Sequence, residues 1–133
     1  MTLVLIVDDS EPNRKLERDI LRNAGFETLE SATGADALRL AWEHAPDVIL
    51  MDLRLPDTTG AEVTRKLAAD PRTARTPVLA VSALPLEGAD DWLAAAGFAG
   101  WIGKPIRVDG FADEIRRHVT QARGPRSSGA IPC

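Results

Sequence analysis

The sequence predicts an α/β domain built on a mostly parallel five-stranded sheet, and three observations carry that prediction. Short apolar runs alternate with helix-length amphipathic segments five times along 133 residues, the pattern of successive β-α units. The run Val48-Ile49-Leu50-Met51 is unbroken and too short for a helix, as a strand covered on both faces reads. Four of the five runs end in polar residues able to do chemistry: Asp8-Asp9, Asp52, Ser82 and Lys104. In open α/β sheets the carboxyl ends of the strands are where ligands bind.

Leu3 to Val7 is the first strand, ending in Asp8-Asp9. Ser10 is placed to cap a helix whose first turn accepts Glu11 and Pro12. Leu16, Ile20, Leu21 and Ala24 follow at helical spacing, and Gly25 is a natural stop. Phe26 to Ser31 alternates and reads as an outer strand. A second helix over Ala35 to His44 puts Ala37, Leu38, Ala41 and Trp42 on one face, and Pro46 ends it. After the strand that closes at Asp52, Pro56 and Thr58-Thr59-Gly60 turn the chain away from the strand direction. Gly60 to Asp70 is helical through Val63 and Leu67, and Asp70-Pro71 closes it. Thr76-Pro77 opens the strand Val78 to Val81, which runs into Ser82-Ala83. Leu86 to Ala96 is the weakest helix, because Gly88 and Asp90-Asp91 fall inside it, and Gly97 stops it. Trp101-Ile102-Gly103 is a short last strand before Lys104-Pro105. Phe111, Ala112, Ile115 and Val119 support a final helix from Val108 to about Ala122. The domain is thus expected over 1–122. Residues 123–133, which include Gly-Pro-Arg-Ser-Ser-Gly, carry too little apolar content to pack and are expected to form a disordered tail.

Composition bounds the function. With 44% hydrophobic and 27% charged residues the chain can bury one real core. A net charge of −4 without a basic patch argues against direct nucleic-acid binding. No apolar segment approaches the roughly 20 residues that span a bilayer, and the N-terminus lacks a basic region and cleavage site, so neither membrane insertion nor a signal peptide is expected. Cys133 has no partner for a disulfide. A cytoplasmic setting fits these features.

In a parallel sheet the strand ends lie side by side, so Asp8, Asp9, Asp52, Ser82 and Lys104 should converge. Three crowded carboxylates repel unless a cation sits among them. Mg²⁺ suits that place as a hard ion that takes oxygen ligands and keeps waters and phosphate oxygens in its shell. No His or Cys near these positions favours zinc. A metal, a lysine and a hydroxyl around one carboxylate make a phosphoryl-transfer arrangement. Asp52 would be the nucleophile, Lys104 and Mg²⁺ would neutralise phosphoryl oxygens, and Ser82 would donate a hydrogen bond. Taken singly, Asp52 and Asp8-Asp9 could merely cap helices, Ser82 could be a turn residue and Lys104 a solvated one; their joint placement favours the site. His44 and His118 lie on helices away from the strand ends, and Trp42 and Trp92 read as half-buried helix residues.

Ile-Val-Asp-Asp, Leu-Met-Asp-Leu-Arg-Leu-Pro, Val-Ser-Ala and Lys-Pro, in this order and spacing, resemble a two-component response-regulator receiver domain of the CheY-like superfamily. The likeness covers about Leu3 to Gln121. Ile-Val-Asp-Asp-Ser-Glu-Pro-Asn and Gly-Ala-Glu-Val-Thr-Arg-Lys-Leu draw it towards stand-alone single-domain receivers. The resemblance implies a flavodoxin-like, CheY-like, doubly wound fold with strand order 2-1-3-4-5 and five helices. It also implies that Asp52 is the phosphoacceptor, Asp9 a direct Mg²⁺ ligand, Asp8 a ligand mainly through a metal-bound water, and the Arg54 carbonyl a further ligand. Ser82 corresponds to the switch hydroxyl, Trp101 to the switch aromatic and Lys104 to the phosphate-contacting lysine, with a cis Lys104-Pro105 bond. Ser82 stands where Thr is more frequent, and Trp101 where Tyr or Phe is usual.

The function this implies is a phosphorelay module for signal transduction. A histidine kinase or histidine phosphotransfer protein would be the phosphoryl donor. The phosphorylated domain would act on a downstream protein through the face of the fourth helix, last strand and fifth helix. Arg54 and Leu84, flanking the pocket, would tune the lifetime of the phosphoryl group. A small-molecule phosphatase is disfavoured because Arg54 stands where a general acid would be needed. A scaffold working without phosphorylation is the third reading. An FMN-binding flavodoxin is not supported, because the loop after Val7 is acidic where a phosphate cradle should be rich in Ser, Thr and Gly.

Overall fold

The computed structural model describes residues 2–83 and 88–129, with side chains to residue 119. Strands β1 (Leu3–Val7), β2 (Glu27–Ser31), β3 (Val48–Asp52), β4 (Val78–Ser82) and β5 (Gly100–Gly103) alternate with helices α1 (Glu11–Asn23), α2 (Gly34–His44), α3 (Gly60–Ala69), α4 (Asp90–Ala96) and α5 (Val108–Gly129). All pairings are parallel, in the order β2-β1-β3-β4-β5. This is the parallel α/β sheet expected from the alternation of runs, in the doubly wound, flavodoxin-like order that the family resemblance implies.

The pleat divides the core into two. Alternate residues of a strand point to opposite faces, so Leu5, Val7, Ile49, Met51, Val78 and Ala80 meet Ala37, Ala41, Val63, Leu67, Leu93 and Ala96 of α2, α3 and α4. Val4, Ile6, Val48, Leu50, Leu79, Val81 and Ile102 face Leu21 of α1 and Phe111, Ile115 and Val119 of α5. Side-chain caps start three helices. The hydroxyls of Ser10, Thr33 and Thr59 accept from the amides of Asn13, Asp36 and Glu62, each satisfying one orphan donor of a first turn.

Three local expectations change. The inward row of α1 is Glu17 and Leu21, while Leu16 is 39% exposed. Trp92 is exposed rather than half-buried, because the short α4 turns Leu93 and Ala96 inward; its ring stacks on Phe98 at 6.3 Å. The α5 backbone stays helical beyond Ala122 to Gly129, past Gly124 and Pro125, which are both poor interior helix residues. Part of the expected α4, from Leu86, lies outside the described residues, as do Leu84 and Cys133. Trp42 is half-buried, with the Arg72 guanidinium 4.7 Å over its ring.

Candidate functional site

The ends of β1, β3, β4 and β5, the loop after β3 and the first turn of α1 build a cleft on the carboxyl edge of the sheet. It measures about 390 Å³ and is lined by Asp8, Asp9, Ser10, Asn13, Asp52, Leu53, Arg54, Ser82, Ala83 and Lys104. β1 delivers Asp8 as the chain leaves the sheet. There its amide donates to the Ser31 carbonyl at 3.0 Å, and Arg14 Nη1 donates to its carbonyl at 2.7 Å. Asp8 is buried and Asp9 exposed. Asp8 Oδ1 accepts from the Ser10 amide at 2.8 Å, which fixes the carboxyl at the mouth of α1.

Asp52 comes at the end of β3, still paired with Val81 of β4. Gly60 packs directly under it: a Cβ there would collide with the Asp52 carbonyl oxygen and lie 2.9 Å from Met51 Cγ. The loop between is tight, with Gly60 N–H donating to the Leu53 carbonyl at 3.0 Å and Leu55 N–H to the Thr58 carbonyl at 3.2 Å. This keeps the Arg54 backbone at the cleft, where its amide donates to Asp52 Oδ1 at 3.3 Å. Ser82 closes β4, is buried, and its carbonyl accepts the Lys104 amide at 2.8 Å. The Lys104–Pro105 peptide is cis.

Lys104 joins the acids. Its Nζ lies 3.0 Å from Asp8 Oδ2 and 3.6 Å from Asp52 Oδ2, and its side chain is only 17% exposed. Burial works against the ammonium, but the Asp8 hydrogen bond and charge, then Asp52, outweigh it and hold its pKa above the ordinary lysine value. Asp52 is pushed above the ordinary carboxyl range, first by burial; Lys104 opposes this, while Asp8 and Asp9 add to it. One carboxylate oxygen from each of Asp8, Asp9 and Asp52 lies within 4.8 Å of the others. Three anions with a single ammonium leave excess negative charge in a half-buried cleft, and all the donors are hard oxygens. That set fits a hard divalent cation such as Mg²⁺ and not a soft one.

The structure therefore brings together Asp8, Asp9, Asp52, the Arg54 backbone, Ser82 and Lys104. Trp101 is not in the cleft lining. It is partly buried and packs against the α4-side core, with its ring 3.5 Å from the position of a Cβ on Gly103. The lining also holds Ser10, read from the sequence only as a helix cap, Asn13, which the sequence reading did not assign to the site, and the neighbours Leu53 and Ala83. Asn13 Nδ2 stands 3.5 Å from Asp8 Oδ2. The signal was present, since a residue three past an N-cap shares the first turn that overlooks the strand end.

Comparison with known proteins defines the class. Residues 4–116 match the response regulator receiver domain family. The polar-differentiation response regulator DivK of Brucella ovis is 41% identical over 119 residues, covering 90% of this chain and 97% of that protein. The Vibrio cholerae chemotaxis protein CheY4 superposes with a TM-score of 0.82 at 30% identity, covering 88% of this chain and 98% of that one. The receiver domain of a sensor histidine kinase from Pseudomonas aeruginosa PAO1 superposes with a TM-score of 0.77 at 30% identity, over 92% and 98% of the two chains, and its cleft coordinates a magnesium ion. This chain belongs to the response regulator receiver family. Its likeness over nearly full length is to a single-domain member, DivK.

Proposed function

We propose that this chain is a stand-alone receiver that accepts a phosphoryl group on Asp52 and signals by binding another protein. The donor class is a histidine kinase or a histidine phosphotransfer protein presenting phosphohistidine. One Asp52 carboxylate oxygen attacks phosphorus, the P–N bond breaks, and its electron pair stays with the imidazole nitrogen. Asp8, Asp9, Asp52 and the Arg54 carbonyl would hold Mg²⁺, which when bound supplies positive charge for the phosphoryl oxygens. Lys104 supplies a fixed positive charge for the same oxygens. Ser82 offers its hydroxyl to the phosphoryl group and carries the change into the β4–α4 loop. Trp101, on β5, belongs to the α4-β5-α5 face, where a downstream protein would dock. Residues 1–122 are the signalling unit in this reading, 123–133 a tail, and the setting is cytoplasmic. Self-catalysed phosphotransfer and later hydrolysis of the acyl phosphate complete the cycle; the domain is a signalling module, not an enzyme with an outside substrate.

The observation that carries this is the ammonium of Lys104 set between Asp8 and Asp52 beside a three-carboxylate cluster. Incubation with labelled acetyl phosphate and Mg²⁺ should label the wild type and leave Asp52→Asn unlabelled. Label retained by Asp52→Asn would refute the assignment. Equal affinity of a downstream partner for the metal-free and beryllofluoride-loaded protein would support the scaffold reading instead.

A further inference from the structure

Among the described residues two carboxyl groups are fully buried, Asp8 and Glu17. Asp8 belongs to the cleft and has partners. Glu17 sits on the inward row of α1, 1% exposed, and its Oε2 has no hydrogen-bond partner. α1 packs there against β1, β2 and α5, a place where an apolar side chain would serve packing better. The charges that act on Glu17 are those of the cleft: Asp8 at the end of β1, Asp52 at the end of β3, and Lys104 after β5. Other charged groups on these elements have partners of their own, Arg14 among them with both the Asp8 carbonyl and Glu30. Arg14 and Arg18 of α1 turn to Glu30 of β2, and Arg116 of α5 is held by Asp113 and the Ala24 carbonyl.

We propose that the charge state of Glu17, which lies on α1 one turn beyond the cleft-lining Asn13 and on the same face, is coupled to the cation held above. Glu17 touches neither phosphoryl group nor metal in this proposal; it is a positioning residue that acts through the field it shares with Asp8, Asp52 and Lys104. Burial first, and then Asp8, raise its pKa from 4.5 to about 8, against the pull of Lys104. At neutral pH it therefore keeps its proton. A divalent cation among the strand-end acids offsets the two carboxylates that favour that proton, so cation entry expels it. By reciprocity, ionised Glu17 strengthens cation binding and offers Lys104 a further counter-charge. The inference rests on the metal-dependent phosphoacceptor reading and adds a pH control to it.

Isothermal titration of MgCl₂ into the full-length protein at pH 6.5, 7.5 and 8.5, in buffers of different ionisation enthalpy, tests the coupling. The wild type should bind more tightly as pH rises and release protons at pH 7.5, with affinity gaining about tenfold for each pKa unit by which the cation lowers Glu17. Glu17→Gln should match the wild type at pH 6.5 and show neither the rise nor the Glu17 proton. Wild-type affinity that does not change with pH, or a rise that survives in Glu17→Gln, overturns the proposal. His44 and His118 lie off the cleft, and the Glu17→Gln comparison removes any contribution they make. Should that variant fail to fold, the wild-type Glu17 carboxyl ¹³C resonance serves: it should titrate near 8 without Mg²⁺ and lower with it. A midpoint in the ordinary carboxyl range overturns the proposal. Labelling of Asp52, measured separately, keeps the two readings apart. Coupling without labelling sinks the phosphoacceptor reading alone, labelling without coupling sinks this one alone, and no Mg²⁺ binding at any pH sinks both.

Discussion

Lys104 is the residue on which the site's electrostatics turn, because two carboxylates lean on one ammonium. Replacing it with Met leaves Asp8 buried and unpaired, and breaking a buried pair from one side costs roughly 3 kcal/mol. Lys104→Met should therefore lower the urea midpoint and raise the Asp52 pKa further, the latter read by carboxyl ¹³C titration. Glu17 has the opposite signature. Its folded pKa of about 8 lies above its unfolded 4.5, so the unfolded chain sheds this proton first as pH rises. The stability Glu17 allows at pH 4.5 and below is lost progressively towards pH 8. Glu17→Leu should abolish that loss, and in metal-free protein it should be more stable than wild type at pH 8 and gain little at pH 4.5. The two residues also show what a sequence makes legible. Asp8, Asp9, Asp52, Ser82 and Lys104 could be read because each ends a strand, and parallel strand ends meet. Glu17 could not. Helical spacing takes apolar residues as its markers, so it picks out Leu16, Ile20, Leu21 and Ala24 and passes over the glutamate between them.

Elements hold these residues in place through close backbone approach. The β3–α3 loop is pinned across to α2: Asp57 Oδ1 accepts the Gly34 amide at 2.9 Å and Oδ2 the Ala35 amide at 3.1 Å. Those two bonds, the Gly34 one first, hold the Asp57 pKa below its ordinary value. Its stabilising effect is thus present above pH 4 and lost as acid protonates it. Asp57→Ala should speed hydrogen exchange at Gly34 and Ala35 and flatten that acid limb. Gly60 fixes the other end of the loop. Its missing Cβ leaves room for the Asp52 carbonyl, so Gly60→Ala must push the end of β3 or the start of α3 aside. Overpacking of this kind costs about 1–3 kcal/mol, and the variant should also label more slowly, because the shift is at Asp52 itself. The sequence showed Gly60 only as part of a turn; that a helix start abuts a strand end is a three-dimensional fact. Element order was legible because each run is short and, apart from the alternating second one, apolar. Ends were less so: α4 begins after Gly88, at φ 85°, without a side-chain cap, and nothing in the local pattern places that start.

On the scale of the whole molecule, the fold buys its site with repulsion. Asp8, Asp9 and Asp52 hold like charges within 4.8 Å, and Lys104 offsets only part of them. In the metal-free protein, removing one of those charges should relieve strain that no packing contact compensates. Asp52→Asn should therefore raise metal-free stability by about 1 kcal/mol, although it removes the proposed phosphoacceptor. Mg²⁺ should reverse the order. A ligand that binds the folded state alone stabilises it in proportion to the logarithm of its concentration over its dissociation constant. Wild type should gain steadily in melting temperature with added MgCl₂, while Asp52→Asn, with a weaker ligand set, should gain much less. The two curves should approach and then cross as Mg²⁺ rises. Differential scanning calorimetry with EDTA and over a MgCl₂ series reads both limbs. If Asp52→Asn melts below wild type without metal, the three acids are not in net repulsion, and the electrostatic reason for a cation in this cleft disappears.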